Sequence, residues 1–272
     1  MVRSTALLLA ISLVSPLANA LEPTCETLAR WDAPEATQGV AVDAEAFYAI
    51  ANAKIAKYDK QTGVRLDAWE ANDDLPLRHL NSGVCHEGKL YCAHSNFPAY
   101  PNTSSVEIFE TENLQHIDSH SFGIYEGSLT VADWHNNAWW CVFAHYSEKV
   151  NDDPQAKPHT YTSLVKFDDE WRRLEAWVFP SEVLERFAPH SCSGGVWSQQ
   201  GRFYCSGHDR PELYELALPR AASTLVWKRT LGIEITGQAI AMDPSTPEVI
   251  YGIDRPHKQV IVSRLPALFV NE

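Results

Sequence analysis

The chain has 272 residues, of which 35 are acidic and 22 are basic, and its formal net charge is −13 at pH 7. A surface this acidic repels phosphate backbones and anionic lipids, which argues against nucleic acids and membranes as partners. After the first twenty residues, no stretch approaches the roughly 18 apolar residues that a membrane span requires.

Residues 1–20 have the three parts of a secretory signal peptide. Arg3 supplies the positive charge, "ALLLAISLV" the apolar run, and Ala18-Asn19-Ala20 a small-residue cleavage site. We therefore expect a periplasmic or extracellular protein. Its mature chain, residues 21–272, has a length that is normal for a single all-β domain.

Six cysteines remain in the mature chain, and an oxidising compartment would permit disulfides between them. The sequence does not choose among the possible pairings. Cys92, Cys141 and Cys205 occupy the same predicted strand of three different units, and this pattern is equally consistent with small, buried apolar side chains.

A degenerate repeat runs through the chain, with units that start at residues 38, 82, 126, 194 and 238. Each unit has a small or polar start, a short apolar strand, a polar turn and a second strand with an aromatic residue. The second strands and the turns before them include "EAFYAIAN", "GKLYCAHSN", "NNAWWCVFAHY", "GRFYCSGHD" and "PEVIYGID".

A third strand follows each hairpin, and a fourth follows in the first four units. The fifth unit ends in "LPALFVNE" without a good fourth strand, whereas "TCETLARW", residues 24–31, is a spare strand at the mature N-terminus. We predict an all-β, five-bladed β-propeller of four-stranded blades, over residues 21–272, whose ring is closed by that N-terminal strand. A β-sandwich with accidental self-similarity is the alternative. Residues 181–187, "SEVLERF", are the only predicted helix.

Polar side chains recur at the starts of the first strands and at the ends of the second strands. In a propeller the first strand of each blade lines the central axis, so these positions lie on one face of the ring. Side chains from all blades would converge there on one pocket, the usual place for a ligand. Five of the eleven histidines occupy such positions, namely His79, His94, His145, His190 and His208.

This convergence predicts acid–base or metal chemistry. The candidate catalytic residues are Glu126, His79, His145 and His190. The candidate ligands of one divalent ion (Zn²⁺, Mn²⁺ or Ca²⁺) are His94 and His208, joined by His79, His145 or His190. The candidate substrate-binding residues are Gln38, Asn52, Asn81, Asn96, Tyr125, Asp209, Gln238 and Arg255. The alternatives are a site without a cofactor, and side chains that only satisfy loop backbones.

Two long loops are expected on the same face, residues 95–103 and 147–160. The second is polar and contains His159, and it is either a lid over the site or a solvated surface loop. The chain lacks the G-x-S-x-G elbow, the H-E-x-x-H helix, the P-loop and the G-x-G-x-x-G turn, so familiar linear catalytic motifs do not assign its chemistry.

Several motifs resemble a set of exported bacterial five-bladed propeller proteins of poorly defined function, loosely labelled cycloisomerase-like. They are "HLNSG", "YCAHSN", "SGGVW", "SGHD" and "TGQAIAMDP". The first unit, with Thr37-Gln38-Gly39 and Asp59 to Gly63, is also similar to the opening blade of the plant-type glutaminyl cyclases. That resemblance implies a five-bladed ring with Gln38 and Glu126 as site residues. The His-rich rim departs from the cyclase pattern.

The leading hypothesis is an exported, monomeric enzyme that acts on a small polar molecule at the propeller mouth. The reaction would be a lyase, isomerase or hydrolase step that proceeds by proton transfer, with or without a metal ion. The second hypothesis is glutaminyl-peptide cyclisation. The third is a non-catalytic module that binds a saccharide or a peptide, since the fold supports all three functions.

Overall fold

The computed structural model of the protein describes residues 23–148, 153 and 155–267, which form five four-stranded antiparallel sheets. The predicted signal peptide, residues 1–20, lies outside this part of the chain. Within it, no helix has both the length and the apolar character that crossing a membrane would need.

The strands follow the predicted repeat. The strand β1 (Glu26–Asp32) precedes the blades. Blade one consists of β2 (Gly39–Val42), β3 (Ala46–Ala51), β4 (Lys54–Asp59) and β5 (Arg65–Glu70). Blade two consists of β6 (Leu80–His86), β7 (Lys89–Ser95), β8 (Ser104–Glu110) and β9 (His116–Gly123).

The remaining blades have the same order of strands. Blade three consists of β10 (Ser128–Trp134), β11 (Trp139–Ala144), β12 (Ser163–Phe167) and β13 (Arg173–Val178). Blade four consists of β14 (Gly194–Trp197), β15 (Phe203–Ser206), β16 (Glu212–Ala217) and β17 (Val226–Gly232). Blade five consists of β18 (Ala241–Met242), β19 (Val249–Asp254), β20 (Gln259–Arg264) and the N-terminal strand β1.

The ring is closed by the pairing of β1 with β20. The two strands are antiparallel, from Glu26 opposite Arg264 to Asp32 opposite Gln259, with one register shift between Thr27 and Ala29. Without β1, the last blade would have three strands and an exposed outer edge, which is a site for non-native pairing. The predicted five-bladed propeller and its N-terminal closing strand are therefore confirmed.

The hydrophobic core is divided into five layers, one between each pair of neighbouring blades. Successive side chains of a strand point to opposite faces of its sheet, so a single strand contributes to two layers. On β11, for example, Cys141 packs between blades two and three, whereas Trp140 and Val142 pack between blades three and four. Each blade is therefore held by both of its neighbours, and no single central core exists.

The predicted helix is present as α1 (Ser181–Phe187), and it covers the layer between blades three and four. Its apolar residues Val183, Leu184 and Phe187 are buried in that layer. A short 3-10 turn, His159–Tyr161, lies in the loop before β12. All six cysteines are free thiols, and Cys85 is the one that is not classed as buried.

The packing of the closing strand β1 against blade one can be tested at Gly63, which contacts this strand. Gly63 has a φ of +69°, and a Cβ added there would lie 2.3 Å from the ring of Trp31 on β1. Gly201 has a φ of +73° with no heavy atom within 4 Å of the added Cβ, so Gly201→Ala is a matched control. We expect Gly63→Ala to lower the free energy of unfolding by about 1–3 kcal/mol more than Gly201→Ala, as overpacking does.

Urea denaturation of both variants measures this difference. In a Trp31→Ala background the steric conflict is removed, and the two glycine substitutions should then cost similar amounts. Equal losses in the native background would show that Trp31 and β1 do not pack on the turn as described.

Candidate functional site

One end of the ring, here called the mouth, contains the starts of the first strands and the loops that follow the second strands. Backbone hydrogen bonds join neighbouring blades at this end. The Ala239 amide donates to the Gln38 carbonyl, and the Gln238 amide donates to the Gly207 carbonyl. A Cβ added at Gly39 would lie 2.5 Å from Ala239, so the blades approach closely at the axis.

Three potential metal ligands converge at the mouth of blade four. His208 Nδ1 lies 2.6 Å from Asp209 Oδ1, and His190 Nε2 lies 3.7 Å from Asp209 Oδ2. The two imidazole rings have centroids 4.1 Å apart. Each residue offers a ligand atom within 4.8 Å of the others, and in the described part of the chain this is the one such group of three. We call these residues the mouth triad.

Two charged side chains flank the mouth triad. Glu148 Oε2 lies 3.2 Å from Nδ1 of His190, on the side of the ring that faces away from Asp209. Arg255 Nη1 lies 3.5 Å from Nε2 of His208. His190 thus has a carboxylate at each ring nitrogen, whereas His208 lies between a carboxylate and a guanidinium.

The local backbone explains why these residues meet. His190 precedes β14, and His208 and Asp209 lie just beyond Gly207, which follows its antiparallel partner β15. At Gly237, whose φ is +70°, an added Cβ would lie 2.5 Å from the His208 carbonyl oxygen. Only a residue without a side chain allows the loop of blade five to approach His208 so closely.

The donor set of the mouth triad fits a divalent transition-metal ion. Zinc ligands lie about 2.0–2.2 Å from the ion, so their donor atoms must be somewhat closer together than the observed 4.8 Å limit. The three side chains are partly or largely solvent-accessible and can rotate by that amount. A metal-bound histidine typically donates its other ring N–H to a carboxylate, which is the position of Glu148 beside His190.

His79 lies at the mouth of blade two. Its ring packs against Phe97 with centroids 5.0 Å apart, and Phe97 packs in turn on Tyr146. Burial, together with the nearby His94 and Arg255, lowers the pKa of His79 to about 4. The imidazole is therefore neutral at pH 7, and its protonated form is disfavoured.

His94, a predicted metal ligand, belongs to a different group. Its Nδ1 lies 3.0 Å from the Ser105 hydroxyl, and its nearest carboxylate, Glu107, also holds His116 at 2.8 Å. Burial lowers the pKa of His94, an effect that the Glu107 charge opposes. The structure thus places His94 in a polar network within blade two, outside the mouth triad.

His145 lines a separate small cavity of about 130 Å³ between blades two and three. Burial and the charge of Lys157 lower the pKa of His145 to about 4. Its Nδ1 is buried and has no hydrogen-bond partner among the described residues. Tyr125, a predicted substrate-binding residue, is 84% exposed at the rim of the same cavity.

Glu126 is engaged away from the mouth triad. Both of its carboxylate oxygens accept hydrogen bonds from Nη1 of Arg173, at 2.9 and 2.7 Å. Arg173 begins β13, the outermost strand of blade three. The structure therefore pairs this predicted catalytic carboxylate with an outer-strand arginine.

Two of the predicted substrate-binding amides stabilise the framework instead. The Asn81 amide group donates to the Leu129 carbonyl across blades two and three. Asn96 closes its loop through Pro101 and Thr103. The other amides are the buried residues Gln38 and Gln238 and the exposed turn residue Asn52.

Residue-type patterns missed Glu148 and Phe97, which contact the candidate site residues. Their positions in the sequence could have identified them. Glu148 and Phe97 lie in the two long loops of the mouth face.

The opposite end of the axial channel contains a cavity of about 200 Å³ that is lined in part by Asp133, His135 and Trp197. Asp133 Oδ2 accepts a hydrogen bond from the Trp197 amide at 2.7 Å, which joins blade three to blade four. Burial raises the pKa of Asp133 to about 7 despite hydrogen bonds from the amides of Trp197 and Trp134. This carboxyl group connects two blades at the base of the channel.

Comparisons with known proteins support the fold alone. No family model matches the chain, and no curated protein matches its sequence. A luciferin-regenerating enzyme has a similar structure, with a TM-score of 0.51 and 9% identity over 91% of this chain and 96% of that one. A chain of the mitotic checkpoint complex has a TM-score of 0.47 and 10% identity, over 97% of this chain and 100% of its own. Hydrazine synthase from Kuenenia stuttgartiensis also has a TM-score of 0.47, with 9% identity over 81% and 68% of the two chains.

The raised pKa of Asp133 can be tested by measuring thermal stability as a function of pH. Its folded pKa of about 7 lies above its ordinary value of 3.8, so its stabilising contribution is complete below about pH 4 and is lost as the pH rises to about 7. The variant Asp133→Asn lacks this dependence. We therefore expect its melting temperature, relative to the native chain, to rise between pH 4 and pH 7 and to stay level above pH 7.

Thermal unfolding across this pH range measures the effect, and Asp169→Asn in an exposed turn controls for the loss of one carboxylate. A difference between Asp133→Asn and the native chain that does not change with pH would contradict a raised pKa.

Proposed function

We propose that the protein is an exported, metal-assisted enzyme that acts on a small polar molecule at the propeller mouth. The convergence of His190, His208 and Asp209, with Glu148 behind His190, carries this proposal. Two imidazoles and a carboxylate suit Zn²⁺ or Mn²⁺ better than Ca²⁺, which prefers oxygen ligands. The reaction class is a hydrolase, lyase or isomerase step that depends on proton transfer.

The residues of the mouth would have separate roles in this reaction. His190, His208 and Asp209 would hold the ion, which supplies polarisation of a substrate oxygen or activation of water when it is bound. Glu148 would keep the proton of His190 on Nδ1 and leave Nε2 free as a ligand. His79, neutral at pH 7, would accept a hydrogen bond from the substrate, and Phe97 and Tyr146 would cover its apolar side.

The geometry gives less support to the two other hypotheses. Glutaminyl-peptide cyclisation would use Glu126 and Gln38, but Glu126 is paired with Arg173 and Gln38 is buried at the axis. A non-catalytic binding module would not need a paired histidine and carboxylate arrangement, although it would use the same mouth.

Metal binding is the first test of the proposal. We expect isothermal titration calorimetry with Zn²⁺ and Mn²⁺ to show one site per mature chain. The variants His190→Gln and His208→Gln should each lose this binding, because two ligands hold an ion far less tightly than three. His257→Gln is a matched control, since His257 contacts Asp254 at 2.7 Å without a second histidine nearby. Binding that survives in both ligand variants would contradict the assignment.

The role of Glu148 predicts a graded effect. The variant Glu148→Gln keeps the side-chain size but removes the charge next to His190, and outer-shell changes of this type typically weaken metal affinity about 10–100-fold. We expect the Kd for Zn²⁺ to rise by that factor, with the stoichiometry unchanged. His94→Gln should leave the Kd unchanged, because His94 lies in the Glu107 network.

Catalysis is tested with a panel of small esters, sugars and peptides, including a peptide with N-terminal glutamine. Turnover by the metal-loaded native chain and its loss in His190→Gln would support the enzyme. Saturable binding without turnover would support a binding module, and pyroglutamate formation would support the cyclase hypothesis.

A further inference from the structure

Arg255 differs from most arginines of this acidic chain because it has no carboxylate partner among the described residues. The arginines that lie within 4.0 Å of a carboxylate are Arg30, Arg65, Arg172, Arg173, Arg186, Arg202, Arg210, Arg229 and Arg264. Of the nearby carboxylates, Asp209 contacts His208, and Asp254 contacts His257 through Oδ2. The guanidinium instead contacts the ring of His208 at 3.5 Å, a weak interaction.

A cavity opens next to this guanidinium. It has a volume of about 500 Å³ and is lined by His208, Asp209, Thr236, Arg255 and Pro256. This volume lies within the range of small-molecule sites. The cavity therefore brings two members of the mouth triad and the exposed guanidinium to one space.

The charge of Arg255 also acts across the mouth. It is one of the causes that lower the pKa of His79, after burial and His94. The guanidinium therefore contributes a positive potential at the mouth, although the chain as a whole has a net charge of −13. A local positive potential in an acidic protein favours a negatively charged ligand.

We propose that the substrate is a small carboxylate whose anionic group is bound by the guanidinium of Arg255, next to the mouth triad. The planar fork of arginine matches a carboxylate with two parallel hydrogen bonds. A phosphate would fit the same fork, but its second negative charge would be repelled by Asp209 and Glu148. This inference rests on the proposed function for the site, and it specifies the class of substrate.

Matched probes test the assignment. Glucuronate and glucose differ by one carboxylate, and inorganic phosphate is the competing anion. In calorimetry with the Zn²⁺-loaded chain, we expect glucuronate to bind at least tenfold more tightly than glucose or phosphate, and binding to weaken as salt is added. Arg255→Gln should weaken glucuronate binding by about tenfold or more, as expected for a lost charged hydrogen bond. Arg220→Gln, an exposed arginine in another loop, is the matched control.

The outcomes separate the two proposals. Glucose binding as tight as glucuronate, phosphate binding that is tighter, no binding of any probe, or unchanged glucuronate binding by Arg255→Gln would overturn the carboxylate assignment. The urea denaturation curve of Arg255→Gln should match that of the native chain, which shows that the variant is folded. Arg255-dependent binding of glucuronate to a chain that binds no metal would retain the carboxylate assignment and refute the metal-assisted function.

Discussion

The pairing of β1 with β20 is the constraint on which the rest of the structure depends. It connects the two ends of the described chain in one sheet, so blade five has four strands like the other blades. Trp31 on this strand packs on Gly63 of blade one, so the closing strand also joins the layer between blades five and one. Five layers of apolar side chains then hold every blade on both faces. This closed arrangement fixes the positions of the strand ends that make up the mouth.

The apolar layers between the blades stabilise the fold. The polar residues at the mouth are therefore available for binding a ligand. His190, His208 and Asp209 come from loops at the ends of two paired strands, and their positions follow from the backbone of blade four and the close approach of Gly237. Glu148 and Arg255 come from blades three and five. The candidate site is therefore an assembly of three consecutive blades, and it would not exist in a single blade.

The sequence allowed a nearly complete prediction of the fold. The repeated hairpins, the missing strand of the fifth unit and the spare strand at residues 24–31 together predicted a closed five-bladed ring, because hydrophobic periodicity and strand count are local properties. The candidate site was less predictable. His94 and His208 both lie near the ends of second strands, yet Glu107 and Ser105 surround His94, whereas His190 and Asp209 surround His208. The Glu126 carboxylate likewise has its hydrogen-bond partner, Arg173, 47 residues away in the sequence. Such partners are set by loop conformation and cross-blade contacts, which a repeat pattern does not encode.

The proposed function depends on a metal ion bound between His190, His208 and Asp209. The most direct measurement is anomalous X-ray diffraction from crystals of the mature chain grown with Zn²⁺, with data collected on both sides of the zinc absorption edge. We expect one strong anomalous peak at the mouth of blade four, within about 2.0–2.2 Å of two imidazole nitrogens and one carboxylate oxygen. A fully bound ion located elsewhere, or the absence of a peak at the mouth under saturating Zn²⁺, would contradict the proposed function.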